Sequence, residues 1–133
     1  MEFKDIAKET AKVLRDYLTY QAVRIISQQL GETNPGQAIW LGDFSKQHSL
    51  QDGDRYIEDM MQENKELVLR ILTVRANLAG EVLDFLPEMV STEIQQSNAQ
   101  HRRSLLEQLT RVDVSSTNLA QTDIEPDISE DSE

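Results

Sequence analysis

The first thirty residues alternate apolar and polar positions with the period of an α-helix. A mostly apolar stripe, at spacings of three and four, is formed by Phe3, Ile6, Thr10, Val13, Tyr17 and Tyr20. A second, aliphatic stripe about a third of a turn away is formed by Ala7, Ala11, Leu14, Leu18, Ala22 and Ile25. Charged residues from Lys4 to Asp16 occupy the remaining, solvated face. The pattern predicts a helix over residues 3–30 that stops at Gly31.

The segment "NPGQ", residues 34–37, is typical of a helix start. Asn34 is suited to the N-cap, Pro35 to the first helical position, and the Gln37 side chain to a return bond three residues on. The short helix that follows has four apolar residues: Ile39, Trp40, Leu41 and Phe44.

The stretch "SKQHS", residues 45–49, predicts a loop. A second short helix is expected from near Ser49 to about Gln62. Its apolar positions are Tyr56, Ile57, Met60 and Met61.

A very long periodic segment begins at Asn64, its predicted N-cap, and runs to about Arg111. Its apolar positions are Leu67, Ile71, Val74, Leu78, Val82, Phe85, Met89, Val90, Ile94, Leu105, Leu109 and Val112. A new helix starting at Pro87 would need Leu86 as its N-cap, a poor residue for that role. A continuous helix that bends at Pro87 is therefore favoured.

The length of this last helix bears on oligomeric state. At 1.5 Å per residue it would span about 70 Å, whereas a compact body of this size has a radius of gyration of about 13–14 Å. One end must leave its own subunit, and its apolar stripe would then be exposed. Burial against a second copy is the favoured solution, and two shorter helices folded back into a monomeric bundle are the alternative.

Composition limits the function classes. The chain has 133 residues and a net charge of −11. Residues 113–133 hold seven acids and no Lys or Arg, so −11 minus −7 leaves −4 for residues 1–112. We expect a helical domain over 1–112 and a disordered acidic tail over 113–133. The acidic balance argues against nucleic-acid binding.

Other bulk features point to a soluble protein of a reducing compartment. The absence of cysteine excludes disulfides and thiolate metal sites. No apolar run approaches the roughly 20 residues that span a membrane.

Sequence motifs give little support for catalysis or for a metal site. His48 and His101 belong to no Glu-x-x-His pair, and no glycine-rich phosphate loop or nucleophile motif occurs. The one basic cluster, "HRRS" at 101–104, could bind carboxylates of a partner or keep an outer helix soluble. We therefore expect no enzyme, no metal and no cofactor.

The pair Tyr17 and Tyr20 admits two interpretations. They could be half-buried core rings with hydroxyls at the surface. Because the aliphatic stripe can serve the protein's own core, the other stripe is free to line a groove with Thr10 and Val13. Aromatic walls with hydroxyl tips suit an extended apolar peptide. The pattern thus predicts a dimeric, all-α peptide binder, with a scaffold for another assembly and a DNA-binding regulator as competing classes.

Three segments carry a family resemblance. "YLTYQAVRIISQQLGETNPGQAIWLGDFS", "LVLRILTVRANLAGEVLDFLPEMV" and "QHRRSLLEQLT" closely resemble the RbcX family of Rubisco assembly chaperones, over roughly residues 3–112. The resemblance implies a four-helix subunit with one long kinked C-terminal helix, in an arc-shaped antiparallel homodimer. It implies no nucleotide, and a cytoplasmic location with carboxysome association left open.

The resemblance also implies a partner and its binding residues. A central groove would bind the C-terminal segment of the Rubisco large subunit until small subunits displace the chaperone from the assembled core. Groove positions carried over are Thr10, Tyr17, Tyr20, Leu50 and Gln51, which agree with the stripe containing Val13. The implied contacts to the body of the large subunit are Gln29, Glu32, Arg70, Arg102 and Arg103. Position 50 is often isoleucine in the family, and Leu50 keeps its apolar character.

Overall fold

The structure, a computed structural model, describes residues 2–124, with side chains as far as Arg111. This range forms four α-helices and no strand: α1 (Phe3–Thr33), α2 (Pro35–Gln47), α3 (Gly53–Met61) and α4 (Lys65–Ile124). The chain divides into an N-terminal unit, Met1–Phe85, and a C-terminal unit that begins at Leu86. The predicted all-α subunit with one long final helix is confirmed.

The predicted stop at Gly31 is wrong, because α1 continues to Thr33. No glycine in the described part of the chain has the positive φ that such a stop requires. The helix ends instead at Asn34, with φ −152° and ψ 78°. The following proline causes this, since its ring disfavours helical dihedrals in the residue before it.

Asn34 terminates α1 and also caps α2. Its backbone N–H donates to the Leu30 carbonyl (2.7 Å), and its side-chain oxygen accepts from the Gln37 N–H (3.3 Å). The predicted cap and the placement of Pro35 in the first helical turn are confirmed. The predicted return bond to the Gln37 side chain is not formed, because the Asn34 N–H is already bonded to Leu30.

The loop predicted at 45–49 lies three residues later in the structure. Helix α2 continues through Gln47, and α3 begins only at Gly53, so the connection is loop 48–52. Ring stacking stabilises the extra turn, because His48 lies on Phe44 with centroids 4.0 Å apart. Asp52, rather than a residue near Ser49, caps α3 by accepting from the Arg55 N–H (3.3 Å).

Helix α4 begins as predicted. The Asn64 side chain accepts from the Leu67 N–H (3.1 Å), and the helix passes Pro87 without interruption, which confirms one helix rather than two. It continues to Ile124, so the predicted end at about Arg111 is wrong. Residues 125–133 of the acidic tail lie outside the described residues, so the disorder expected of them stays a prediction.

The hydrophobic core lies in the N-terminal unit and receives side chains from all four helices. Its members are Ala22, Val23, Ile26, Leu30, Leu41, Phe44, Tyr56, Ile57, Met60, Leu67, Val68 and Ile71. The Tyr56 hydroxyl is satisfied by Ser45 Oγ at 2.8 Å, and burial raises the pKa of that phenol. The core uses only the second half of α1, so the face of its first half is exposed to solvent in the single chain.

Candidate functional site

An open depression of ≈ 520 Å³ lies between one turn of α1 and loop 48–52. Its lining residues are Asp16, Tyr17, Tyr20, Ser45, Ser49, Leu50 and Gln51. Four of the six predicted groove residues therefore meet here, although about thirty residues of chain separate the tyrosines from Leu50 and Gln51. We call this feature the tyrosine depression.

The two tyrosine rings stand on the surface of the single chain. Tyr17 is 56% exposed and Tyr20 is 42% exposed. Their centroids lie 6.4 Å apart with the planes tilted by 37°, and the Tyr17 hydroxyl accepts from Gln21 Nε2 (2.9 Å). The interpretation of these rings as core residues is therefore wrong for the subunit. Exposed aromatic area beside polar tips is suited to binding an apolar chain.

The other two predicted groove residues do not line the tyrosine depression. Thr10 is exposed and its hydroxyl donates to the Ile6 carbonyl of its own helix (2.8 Å). Val13 is 68% exposed. Both lie nearer the start of α1 than Tyr17 does, so within one chain they share the stripe but not the depression.

Three residues of the depression were missed by the sequence pattern, namely Asp16, Ser45 and Ser49. The pattern placed Asp16 on a solvated face, and this is wrong because its side chain is only 16% exposed. The side chain is covered because it accepts from the Gly53 N–H (3.1 Å), 37 residues away in sequence. No spacing rule within a helix could predict such a contact.

Local bonds shape loop 48–52. Ser49 Oγ accepts from the Gln51 N–H (3.1 Å), which gives the loop a tight turn. Leu50 is half-buried and packs against the core, so the loop is held from below as well. The side of the depression opposite the tyrosines is thus formed by a supported segment.

The carboxylate of Asp16 is charged and held by neighbouring donors. Burial raises its pKa, but the Lys12 ammonium at 3.0 Å and the Gly53 N–H outweigh that effect and hold the pKa below its usual 3.8. The hydrogen bond to Asp16 correspondingly raises the pKa of Lys12 above 10.5. The depression therefore has an internally neutralised ion pair along one edge.

Predicted contacts to a partner body form a second group at the end of α1. Arg70 Nη2 on α4 donates to Gln29 Oε1 (2.6 Å), so these two residues are adjacent. Glu32 is exposed one turn further along α1. The three lie at the surface of the N-terminal unit and form a polar patch.

The remaining predicted contacts belong to the C-terminal unit. Arg102 and Arg103 are exposed on α4 and border a depression that also includes Leu106. An aliphatic side chain beside two guanidinium groups is an arrangement that can bind carboxylates and apolar area together.

Neither a cluster of metal ligands nor a membrane-spanning helix occurs in the part of the chain that the structure describes. Residues 2–111 contain no group of three or more His, Asp or Glu side chains able to hold a metal ion. In the same range, no helix has the length and apolarity to cross a membrane.

Comparison with known proteins shows which family this chain resembles. The family model described as RbcX protein matches residues 1–111. The "RuBisCO chaperone RbcX" of Picosynechococcus sp. is 70% identical, with 100% of each chain covered. The protein of the same name from Synechocystis sp. is 56% identical over 84% of this chain and 80% of its own.

A solved structure leads to the same family. The crystal structure of RbcX in complex with substrate is 74% identical and has a TM-score of 0.73, with 83% of this chain and 99% of that chain covered. Sequence, fold and the family model agree, and this chain belongs to the RbcX protein family.

Proposed function

We propose that this chain is a Rubisco assembly chaperone that acts as a homodimer without ATP and binds the extended C-terminal segment of the large subunit. Two observations support the proposal. The chain shares 70% identity with a RuBisCO chaperone RbcX over its full length. It also presents the tyrosine depression, an exposed aromatic site that its own core does not use. The depression is the observation on which the peptide assignment depends.

The depression is suited to a modest, reversible interaction. Burying one aromatic side chain of the peptide gives about 1.5–3 kcal/mol. Ordering a flexible peptide costs about 2–5 kcal/mol. One or two aromatic anchors therefore give weak to moderate binding. Such binding suits a chaperone that must later release its client.

The homodimer explains the exposed part of the α1 stripe. Thr10 and Val13 lie on that stripe beyond the tyrosine depression. In an antiparallel, arc-shaped dimer these residues would extend the depression into a central groove at the two-fold axis. A symmetric interface would also bury apolar side chains that are exposed in the single chain.

The polar patch and the Arg102–Arg103 pair would provide separate attachments to the body of the large subunit. A peptide anchor plus a body contact raises the effective concentration of the second interaction. Two large subunits held in this way would form an antiparallel dimer and then the octameric core. Small subunits would displace the chaperone from that core.

A peptide-binding experiment tests the proposal. Tyr17→Ala and Tyr20→Ala should each abolish capture of a synthetic peptide with the C-terminal sequence of the Rubisco large subunit, because each removes a wall of the depression. Both variants should remain folded dimers by circular dichroism and light scattering. Ile39→Ala is the control, since Ile39 is 66% exposed on α2 and lies outside both the depression and the α1 stripe. Binding of both tyrosine variants at wild-type strength would refute the assignment.

A reconstitution experiment tests the body contacts. Arg70→Ala and Arg102→Ala should leave peptide binding unchanged while the yield of the octameric core of large subunits falls, measured by native gel electrophoresis. Arg24→Ala, an exposed arginine of α1, is the control. An unchanged yield in the two variants would mean that these side chains only keep the surface soluble.

A further inference from the structure

The start of α3 is bonded to α1 through one carboxylate. The first N–H groups of a helix have no partner within it. The side chain of Asp52 satisfies the Arg55 N–H, while the Gly53 N–H donates to Asp16 Oδ1 (3.1 Å). The other oxygen, Asp16 Oδ2, accepts from Lys12 Nζ (3.0 Å). Negative charge at a helix N-terminus is favourable, so the Asp16 carboxylate also stabilises the start of α3.

The two helices approach closely at this contact. A Cβ at Gly53 would lie 2.8 Å from Thr19 Oγ1 and 2.9 Å from Thr19 Cβ, so only glycine fits. Arg75 of α4 joins the same corner by donating to Thr19 Oγ1 (3.0 Å) and to Asp54 Oδ1 (3.4 Å). The position of α3 relative to α1 is therefore fixed by polar bonds as well as by the core.

The same corner fixes one end of loop 48–52. The loop begins at His48, whose N–H donates to the Phe44 carbonyl (3.0 Å) and whose ring stacks on that phenylalanine. It ends one residue before Gly53. Leu50 and Gln51, which face the tyrosines across the depression, are thus carried by a short segment anchored at both ends.

We propose that Asp16 is a positioning residue of the peptide site. Its bond to Gly53 holds loop 48–52 at the distance from α1 that lets Leu50 and Gln51 line the depression. This inference rests on the proposed function and adds to it a residue that supports the site from its edge. Without the bond the loop would have to be ordered by the peptide itself, which should weaken binding about tenfold.

Two substitutions at Asp16 separate the hydrogen bond from the charge. Asp16→Ala removes the acceptor and should weaken binding of the same synthetic peptide about tenfold in the full-length dimer. Asp16→Asn keeps an acceptor oxygen for Gly53 and should restore binding to near the wild-type value. Asp5→Ala, at an exposed position of the same helix, should bind the peptide as the wild type does.

Amide exchange provides a measurement that does not depend on the peptide. In the free protein, Asp16→Ala should speed exchange of the Gly53 amide about fivefold or more, as expected for one lost hydrogen bond. Amides of the core residues Ile26 and Ile71 should keep their rates. A general loss of stability would raise all three rates together, so this pattern separates positioning from simple destabilisation.

The outcomes distinguish the two proposals. If the wild type binds the peptide and Asp16→Ala binds it equally well, the positioning role is wrong and the proposed function stands. Weak binding by Asp16→Asn, equal to that of Asp16→Ala, would also overturn the role, because charge rather than the Gly53 bond would then matter. If the wild type binds no peptide, the proposed function fails and this inference fails with it.

Discussion

The two units of this chain differ in how they bury apolar side chains. The N-terminal unit contains a core to which four helices contribute. The C-terminal unit has no buried side chain among its described residues 86–111. Its exposed apolar residues are Met89, Val90, Ile94, Leu105, Leu106 and Leu109. Since an isolated helix is marginal in water, the first unit explains its own stability and the second needs another surface to cover it.

The largest effect is expected from a charge in the C-terminal unit. Ile94→Glu would place a carboxylate on the apolar stripe that we assign to the homodimer interface, and symmetry would place it there twice. Burial of an unpaired charge is costly, so the variant should behave as a monomer of 15.2 kDa by light scattering. Gln96→Glu, on the opposite side of the same helix, should remain dimeric. A dimeric Ile94→Glu would show that another surface covers the stripe.

The next largest effect is expected in the core of the N-terminal unit. Leu41 is fully buried, so Leu41→Ala should lower the free energy of unfolding by about 2–5 kcal/mol in urea titration. Leu69 is 66% exposed and is the control. Leu69→Ala should change the free energy of unfolding by less than about 0.5 kcal/mol. Equal losses in the two variants would mean that the face of Leu69 is covered in the dimer, which would weaken the contrast between the units.

Glycine substitutions sharpen the comparison within the N-terminal unit. Gly53→Ala should destabilise the protein by about 1–3 kcal/mol, because the new methyl group would overlap Thr19. Gly31→Ala meets nothing within 4 Å inside α1 and should stabilise it by about 0.5–1 kcal/mol. Thermal unfolding of both variants measures the difference. Destabilisation by Gly31→Ala would instead support the helix stop predicted at that residue.

The smallest effect concerns the acid side of the stability profile. Because the folded-state pKa of Asp16 is held below 3.8, its contribution is present above pH 3.8 and is lost as pH falls through the folded value. The difference in unfolding free energy between the wild type and Asp16→Asn should therefore be constant near neutral pH and shrink below pH 3.8. Asp5→Asn is the control, and urea titrations across the acid range are the measurement. A difference that persists unchanged at the lowest pH would contradict the assignment.

Features set by neighbouring residues can be predicted from the sequence. Asn34 and Asn64 are predictable as caps because a cap depends on three or four consecutive residues. The long helix through Pro87 followed from a period that continues on both sides of the proline. The exposure of Tyr17 and Tyr20 followed from counting stripes on a single helix.

Features that depend on contacts between residues distant in sequence cannot be predicted in this way. The end of α2 at Gln47 depends on stacking between Phe44 and His48, which no propensity of "SKQHS" indicates. Asp16 looked solvated because its partner, Gly53, lies 37 residues away. Thr10 and Val13 share a helical face with the tyrosines, but a face does not show where a depression ends.

The junction at Asn34 has a consequence for variation in chain length. One residue closes α1 and opens α2, so the corner between them contains no slack. Inserting a single residue there would shift α2 relative to α1 and displace Leu41 and Phe44 from their places in the core. Insertions and deletions should therefore be rejected at this corner during evolution.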